Sequence, residues 1–229
     1  TSVLLGQGSA EATFLQAFNT GRLHHGWLIT GQRGVGKATL AWRLARFLLA
    51  TPDDDGGMFA APPPETLDIP DSHPVARRIS ALSEPRLSLL RRAYDEKKAK
   101  LQDVISVDEV RKMKSFFTLS AADGGRRVAI IDAVDEMNPQ AANALLKLLE
   151  EPPKAVTMFL ISHQPARLLP TIRSRCRRLA FPVWPLHALE ELVRNRTGVT
   201  SAEVVDELIA ALNSMPFAAA ASASSEATP

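Results

Sequence analysis

The sequence predicts an α/β domain with a parallel sheet flanked by helices, followed by a small helical domain. Three observations support this fold class. A short apolar strand, Gly26–Thr30, runs into a glycine-rich loop and then into a segment with helical spacing of apolar residues. Further apolar strands alternate with helical segments up to residue 182, and from residue 184 the pattern is helical only. Alternating strands and helices favour parallel pairing, because each helix returns the chain to the same edge of the sheet.

The length and composition are typical of a globular protein. A chain of 229 residues can hold one full α/β domain and a smaller one. Hydrophobic residues make up 45% and charged residues 23%, and a net charge of +2 is too small to indicate nucleic-acid binding by bulk charge. A single cysteine, Cys176, excludes an internal disulfide and a cysteine-built zinc site. With no recognisable membrane span or secretory signal, we expect a cytoplasmic protein.

Two helices are predicted around the first strand. Ser9 can cap a helix over residues 10–20, which Gly21 would end. Residues 38–50 carry apolar side chains at helical spacing, so the glycine-rich loop joins a strand to a helix N-terminus, where the helix dipole favours anions.

The glycine-rich loop differs by one residue from the phosphate-binding motif, in which Gly-Lys is followed by Ser or Thr. In that motif the glycines let backbone N–H groups point at phosphate oxygens, and the lysine reaches the outer phosphates. Ala38 replaces the hydroxyl that binds magnesium, and the hydroxyl of Thr39 lies about a hundred degrees further round the helix. We therefore expect a loop that holds ATP or ADP with weak magnesium dependence. The candidate nucleotide-binding residues here are Gly31, Gly34, Val35, Gly36, Lys37, Ala38 and Thr39.

The segment after this helix has a different composition. Residues 51–74 contain three consecutive aspartates and three consecutive prolines, which predict a long surface loop. Residues 75–102 are rich in arginine and lysine and predict one or two surface helices, so residues 51–103 are interpreted as a loop and basic helical insertion. Its basic side chains could contact DNA phosphates, although a solvated helix face is the simpler interpretation. They include Arg91, Arg92, Lys97, Lys98 and Lys100.

The second half of the chain supplies the remaining strands of the predicted sheet. Asn138 and Pro139 form a helix start, with a capping side chain followed by proline at the first helical position. The predicted elements are a helix after a capping box at 106–109, a buried strand at 127–132, a helix at 138–150, and strands at 157–162 and 178–182.

Asp132 ends a buried strand, where nucleotide-hydrolysing proteins place a carboxylate that helps to hold magnesium. Such ATPases usually follow this aspartate with a glutamate that polarises the attacking water. Ala133 stands there instead, and the next acids are Asp135 and Glu136. A catalytic base must lie within hydrogen-bond distance of the nucleophile, so Ala38 and Ala133 together predict a site that does not hydrolyse ATP. The alternative is that Asp132 only caps a turn.

On these residues the chain resembles the delta-prime family of bacterial DNA polymerase III clamp-loader subunits, which are AAA+ proteins. The resemblance covers residues 4–212 and is most specific over residues 138–178. This piece contains the Ala-Asn-Ala-Leu-Leu-Lys-Leu-Leu-Glu-Glu-Pro-Pro run at 142–153 and then Ser174-Arg175-Cys176. It implies that Arg175 is an arginine finger, which projects into the ATP site of the adjacent motor subunit. It also implies that Ser162 is the sensor 1 position, which contacts the γ-phosphate in active subunits.

Three features differ from the family pattern. Many members carry a four-cysteine zinc module after the phosphate loop, and this chain has none, so we expect no zinc or other metal centre. The family also has a helical collar domain, and this chain ends before it, so we expect a fragment or a shortened form. Lys37 is kept although some relatives lack it, so nucleotide binding remains possible. We divide the chain into an AAA+ P-loop domain (1–183), a partial helical lid (184–213) and a low-complexity tail (214–229).

The resemblance implies a clamp-loader subunit that is not an active ATPase alone, within the DNA-directed DNA polymerase holoenzyme. Its partners would be the motor subunits and the delta subunit, with the sliding clamp and primed DNA reached through the complex, and no membrane. One alternative is an active AAA+ motor ATPase or a related remodeller, which Ala38 and Ala133 disfavour. A nucleotide kinase is a second alternative, disfavoured by the Ser-Arg-Cys motif. The arginines around Cys176 could instead be a solvated face, and Cys176 itself is interpreted as a packed residue.

Overall fold

The computed structural model describes residues 7–52, 62–119 and 125–181. The predicted lid and tail, beyond residue 183, lie outside the described residues. In chain order the elements are α1 (Gly8–Asn19), β1 (Gly26–Thr30), α2 (Lys37–Ala50), α3 (Pro74–Ser80), β2 (Leu87–Arg91), β3 (Tyr94–Asp95), β4 (Lys100–Leu101), α4 (Val107–Leu119), β5 (Arg127–Asp132), α5 (Pro139–Glu150), β6 (Val156–Ser162), α6 (Pro170–Ser174) and β7 (Arg177–Ala180).

Five parallel strands form the central sheet, in the order β2-β5-β6-β1-β7. The register places Gly26 opposite Met158 and Thr30 opposite Ser162, while Asp132 lies opposite Ile161. β1 and β6 are buried along their whole length, as expected for strands covered by helices on both faces. The predicted fold class is confirmed.

Two hydrophobic clusters lie on the two faces of the sheet, because successive side chains of a strand alternate between faces. In one cluster, α1, α2 and α3 pack on residues such as Trp27 and Phe159. The rings of Phe14 and Trp27 lie 4.9 Å apart there. The other cluster contains residues of α4, α5 and α6 with Leu28 and Met158.

Most predicted elements are confirmed within two residues of their predicted bounds. For example, α5 begins after Asn138, whose side chain accepts the N–H of Ala141 at 2.8 Å. The predicted cap of α1 is wrong, since the helix already begins at Gly8 and Ser9 lies inside it. Gln7 is the N-cap residue, and its carbonyl oxygen accepts the N–H groups of Ala10 at 3.0 Å and Glu11 at 3.2 Å, while its side chain makes no capping hydrogen bond.

The prediction of surface helices over residues 75–102 is correct for α3 and wrong for the rest. β2 pairs with β5 as an edge strand of the main sheet, and β3 and β4 form a separate antiparallel hairpin. The leucines of β2 have a high intrinsic helix propensity, which pairing with β5 overrides. The basic side chains therefore belong to a strand end and a hairpin rather than to one helix face.

The described part of the predicted surface loop, residues 62–73, is attached to α1 and α2. Arg43 forms an ion pair with Asp68 at 2.8 Å, and Arg46 forms one with Asp71 at 2.9 Å. Leu67 is buried in the core cluster beneath them. These contacts tie the end of the loop to the domain, whereas residues 53–61 lie outside the described part.

Glu84 connects the turn before β2 to the end of α2. Its buried carboxylate accepts hydrogen bonds from Arg78 at 2.8 Å and Arg86 at 2.9 Å. Arg86 also donates to the carbonyl oxygen of Leu49 at 3.0 Å. Burial raises the pKa of the Glu84 carboxyl, but the hydrogen bonds from Arg78 and Arg86 outweigh burial and hold the pKa below its ordinary value of 4.5.

We expect Glu84→Ala to lower the free energy of unfolding by about 2–3 kcal/mol, because two guanidinium groups lose their common partner. Because the folded-state pKa is lowered, this contribution is present above pH 4.5 and disappears as the pH falls through the folded-state pKa. Urea unfolding at about pH 7 and about pH 3 measures the difference. The exposed Glu96→Ala serves as the control. A difference that persists undiminished at acid pH would contradict the role given to the carboxylate.

Among the described residues, no helix is long and apolar enough to cross a membrane.

Candidate nucleotide site and arginine motif

The predicted nucleotide residues meet at the edge of the sheet where the parallel strands end. β1 ends at Thr30, and the phosphate-loop motif of residues 31–36 leads directly into α2. Ser162 lies opposite Thr30 on the neighbouring strand, and Asp132 ends the strand beyond it. The crevice outside the carboxyl ends of parallel strands is the usual ligand position in this class of fold.

Two physical reasons account for the three glycines of the loop. Gly34 has a φ of 84° and Gly36 a φ of 92°, a left-handed conformation that glycine adopts without strain. At Gly31 the reason is close approach, because an added β-carbon would lie 2.8 Å from Cβ of Phe181. Val35 packs against the edge of the core. The loop is therefore held in shape by its own backbone and by Phe181, which follows β7.

Lys37 turns back into the loop instead of extending into solvent. Its side chain is buried, and Nζ donates to the carbonyl oxygens of Gly31, at 2.7 Å, and of Gln32. Burial lowers the pKa of the Lys37 ammonium to about 8, although the nearby carboxylates of Asp135 and Asp132 partly oppose this change. A positive charge thus lies within the loop at neutral pH.

We expect the affinity for ATP to fall by about tenfold as the pH rises from about 8 to about 9.5. The physical reason is that Lys37, with a pKa of about 8, loses the charge that a phosphate anion requires. Titration of a fluorescent ATP analogue across this pH range measures the change. Lys37→Met should bind weakly at every pH, and the same pH dependence in that variant would show that another group is responsible.

Neither of the two residues after Lys37 has a hydroxyl at the position where the motif has its metal ligand. Ala38 has no hydroxyl and packs against the core of the first cluster. Thr39 is half-buried one position later on α2. Successive helix positions are about a hundred degrees apart, so the hydroxyl of Thr39 does not replace the missing one.

Asp132 occupies a half-buried position beside the loop. Burial and the nearby carboxylate of Glu136 raise the pKa of Asp132, and the charge of Lys37 only partly offsets them. Ala133 is buried at 2% exposure, and its methyl group offers no base next to Asp132. The strand end therefore provides one carboxylate rather than the usual acidic pair.

The two acids that follow are both engaged with the protein itself. Asp135 accepts the backbone N–H of His163 at 3.0 Å. The two oxygens of Glu136 form ion pairs with Arg33 at 2.8 Å and with Arg92 at 2.9 Å. These contacts were not predictable from the sequence motif, and they place both acids in structural roles at the edge of the site.

Ser162 is fully buried, and its hydroxyl oxygen has no hydrogen-bond partner among the described residues. The Nδ1 atom of His163 is likewise buried without a partner there. Buried polar groups usually have a hydrogen-bond partner, so these two call for an explanation such as a water molecule or a bound ligand. The sequence did not single out His163, because this residue belongs to no motif. Burial, followed by the charge of Lys37, lowers the pKa of its imidazole.

Arg175 lies at the opposite edge of the sheet from these residues. It follows α6 directly, and its carbonyl oxygen would lie 3.4 Å from a β-carbon added at Gly26, the first residue of β1. The phosphate loop begins after Thr30, about 13 Å further along that strand. The structure therefore brings together the predicted loop residues, Asp132 and Ser162, but not Arg175.

The guanidinium of Arg175 contacts two other residues in the described part of the chain. Nη1 donates to the carbonyl oxygen of Thr171 at 3.1 Å, and Nη2 forms an ion pair with Glu150 at 2.9 Å. The side chain is 36% exposed. The sequence motif predicted the arginine but did not indicate these two partners.

The residues around Arg175 have distinct environments. Cys176 is half-buried against Gly26, and desolvation raises the pKa of its thiol to about 12, so it is a packed residue as predicted. The Cζ atom of Arg177 lies 5.2 Å from the centre of the Trp27 ring. Arg178 donates to the hydroxyl of Thr30 at 3.1 Å. The basic cluster is thus partly packed on the domain rather than uniformly solvated.

Comparison with known proteins gives one consistent family. The family model described as "DNA polymerase III, delta subunit" matches residues 6–184. The chain is 34% identical over 195 residues to DNA polymerase III subunit delta' of Pseudomonas aeruginosa, which covers 85% of this chain and 54% of that protein. It is 34% identical over 172 residues to the subunit delta' of Bacillus subtilis, covering 74% and 46%. The chain spans about half the length of the relatives it matches.

One solved structure supports the fold. It is a DNA polymerase III gamma subunit-related protein of Thermotoga maritima, with a TM-score of 0.52 and 21% sequence identity. The match covers 81% of this chain and 50% of that one. At this identity the likeness concerns the fold alone.

Proposed function

The chain belongs to the DNA polymerase III delta subunit family, and on that premise we propose that it is a subunit of the clamp loader of DNA polymerase III. In this role it helps to load the sliding clamp onto primed DNA by supplying Arg175 to the ATP site of a neighbouring motor subunit. Its further partners are the delta subunit and, through the complex, the clamp and the DNA. It acts in the cytoplasm.

The position of Arg175 is the single observation that carries this proposal. The arginine lies at the edge of the sheet where β1 begins, whereas Lys37 lies beyond the edge where β1 ends. A guanidinium at one edge cannot reach phosphates held at the other within the same chain. We therefore infer that it acts on a nucleotide bound to a second subunit, which is how an arginine finger works.

The nucleotide site of this chain supports a binding rather than a hydrolytic role. Its glycines and Lys37 keep the form of a phosphate cradle, whereas Ala38 and Ala133 lack the groups that position magnesium and activate water. The nearest other acids are engaged in contacts to His163 and to two arginines. No cluster suited to a metal ion occurs within residues 7–52, 62–119 and 125–181.

An active AAA+ motor ATPase is the second candidate. The intact loop geometry and the buried Lys37 favour it, because they are the parts that any nucleotide-binding member needs. The two alanines disfavour it. The nucleotide kinase alternative has no comparable observation in its favour.

Assembly is the direct test of the proposed function. We expect the chain to co-elute in size-exclusion chromatography with the clamp-loader motor subunits of the same organism. Because the chain spans about half the length of its relatives, the longest available form of the protein should be used in parallel. Separate elution of both forms from the motor subunits would overturn the proposal.

Binding of ATP is expected to depend only weakly on magnesium, with less than about a tenfold gain in affinity when the metal is added. The reason is that Ala38 removes the hydroxyl that binds the metal directly, while Lys37 and the loop backbone remain. Titration of a labelled ATP analogue with magnesium and with a chelator measures the difference. The variant Ala38→Thr is the matched comparison, and a large magnesium effect in the unmutated chain would contradict the expectation.

A further inference from the structure

We propose that Glu150 is a positioning residue that holds Arg175 in the orientation from which it enters the ATP site of the neighbouring subunit. The inference rests on the proposed function of Arg175 as a finger and adds a second residue to it. The ion pair between Glu150 Oε1 and Arg175 Nη2, at 2.9 Å, is the observation that carries it.

The end of α5 packs beside the segment that carries the arginine. Leu149 and the sulfur of Cys176 lie close to Gly26, since a β-carbon added there would lie 3.1 Å and 3.2 Å from them. Glu150 is the next residue of the same helix and binds the guanidinium itself. The same helix end thus packs at the first residue of β1 and holds the side chain of Arg175.

Other donors of the guanidinium are available for a phosphate as far as the described residues are concerned. Arginine has five N–H donors in a planar fork, and within the part of the chain that the structure describes Thr171 and Glu150 each accept one of them. A free arginine loses much rotamer freedom when it enters a site, whereas one already held in place loses less. Glu150 therefore lowers the entropic cost of presenting the finger without consuming the groups that contact phosphate.

The ion pair between Glu150 and Arg175 is partly exposed, so removing it should affect activity rather than folding. Arg175 is 36% exposed and Glu150 is 41% exposed. Ion pairs at such positions contribute little to stability, so removing the carboxylate should leave the domain folded. Because the ion pair is weak, it can rearrange when a nucleoside triphosphate approaches.

The test uses the complex reconstituted with its motor subunits and stimulated by clamp and DNA, and it measures ATP hydrolysis at the one site that adjoins Arg175 in a single-turnover assay. We expect Glu150→Ala to lower the rate of hydrolysis at that site by about two- to fivefold with little change in its affinity for ATP, because the pair is partly exposed. Glu150→Gln keeps an acceptor oxygen and should lose less. Glu151→Ala removes the adjacent exposed carboxylate and should have no effect.

The comparison with Arg175→Ala separates this inference from the proposed function. In that background Glu150→Ala should cause no additional loss, since its effect acts through the arginine. An equal loss in both backgrounds, or no loss in an otherwise responsive complex, would overturn the role of Glu150 alone. An Arg175→Ala complex with full activity would overturn the finger and, with it, this inference.

A measurement on the free chain checks the ion pair independently of assembly. In NMR spectra of arginine side chains, the Arg175 guanidinium should rotate more slowly in the unmutated protein than in Glu150→Ala. Identical rotation in the two proteins would also overturn the proposal.

Discussion

Replacing Arg175 with alanine is expected to reduce ATP hydrolysis at the one adjoining site of a reconstituted clamp loader by about 10³–10⁵-fold. Phosphoryl transfer spreads negative charge over the γ-phosphate oxygens, and a guanidinium from a neighbouring subunit stabilises that charge. Because the other ATP sites of the complex keep their own arginines, the total stimulated activity should fall only in part. Single-site labelling of the nucleotide or a single-turnover assay would resolve the affected site.

Two further variants sharpen this prediction. Arg175→Lys retains the charge but not the planar fork, and it should recover only part of the activity. Arg173→Ala removes a neighbouring exposed arginine of α6 and should leave hydrolysis unchanged. Among the described residues Arg175 makes a partly exposed ion pair and one hydrogen bond to a backbone oxygen, so its removal should not prevent folding. Full activity of the Arg175→Ala complex would rule out the finger, and failure of that complex to assemble would make the residue structural.

The second large effect concerns hydrolysis by the chain itself. We expect the purified protein to turn over ATP at less than about one molecule per minute, and Ala38→Ser alone should not restore activity. The metal ligand and the water-activating base are separate requirements, and Ala133 leaves the second one unmet. Asp135 and Glu136 cannot take its place while they hold His163 and the two arginines.

Contaminating ATPases are the main source of error in this measurement, so Lys37→Met serves as the background. This variant should lose nucleotide binding through the loop while leaving the rest of the purification unchanged. Hydrolysis in the unmutated protein that clearly exceeds both the stated rate and this background would show that the site is active. Such a result would favour the motor-ATPase alternative.

The sequence alone determined the order and type of most elements, because apolar periodicity and local capping act over a few residues. The strand-loop-helix at residues 26–50 and the Asn138 cap are examples in which the deciding groups are close in the chain. The same holds for the loop glycines, whose backbone angles follow from the motif. Lys37 and Asp132 could therefore be named from local patterns, whereas Ser162 was named from the family resemblance.

Pairings between distant residues could be decided only by the tertiary structure. The segment that contains β2 was predicted as surface helix because it is rich in arginine and lysine, and only pairing with β5, nearly forty residues later, makes it an edge strand. The ion pair of Arg33 with Glu136 joins residues 103 positions apart. No local pattern records such a contact, so the structural roles of the two acids were not predictable.

The position of Arg175 also depends partly on the sequence and partly on the tertiary structure. The triplet Ser174-Arg175-Cys176 marks the residue in the sequence, but the distance between this arginine and the phosphate loop depends on where β7 and β1 begin in the sheet. Packing against Gly26 sets it at the edge opposite the loop, and Glu150, at the end of a different helix, binds its guanidinium. The sequence determined which side chains are available for chemistry. The tertiary structure decided which of them meet, because burial and charge pairing act through space and not along the chain.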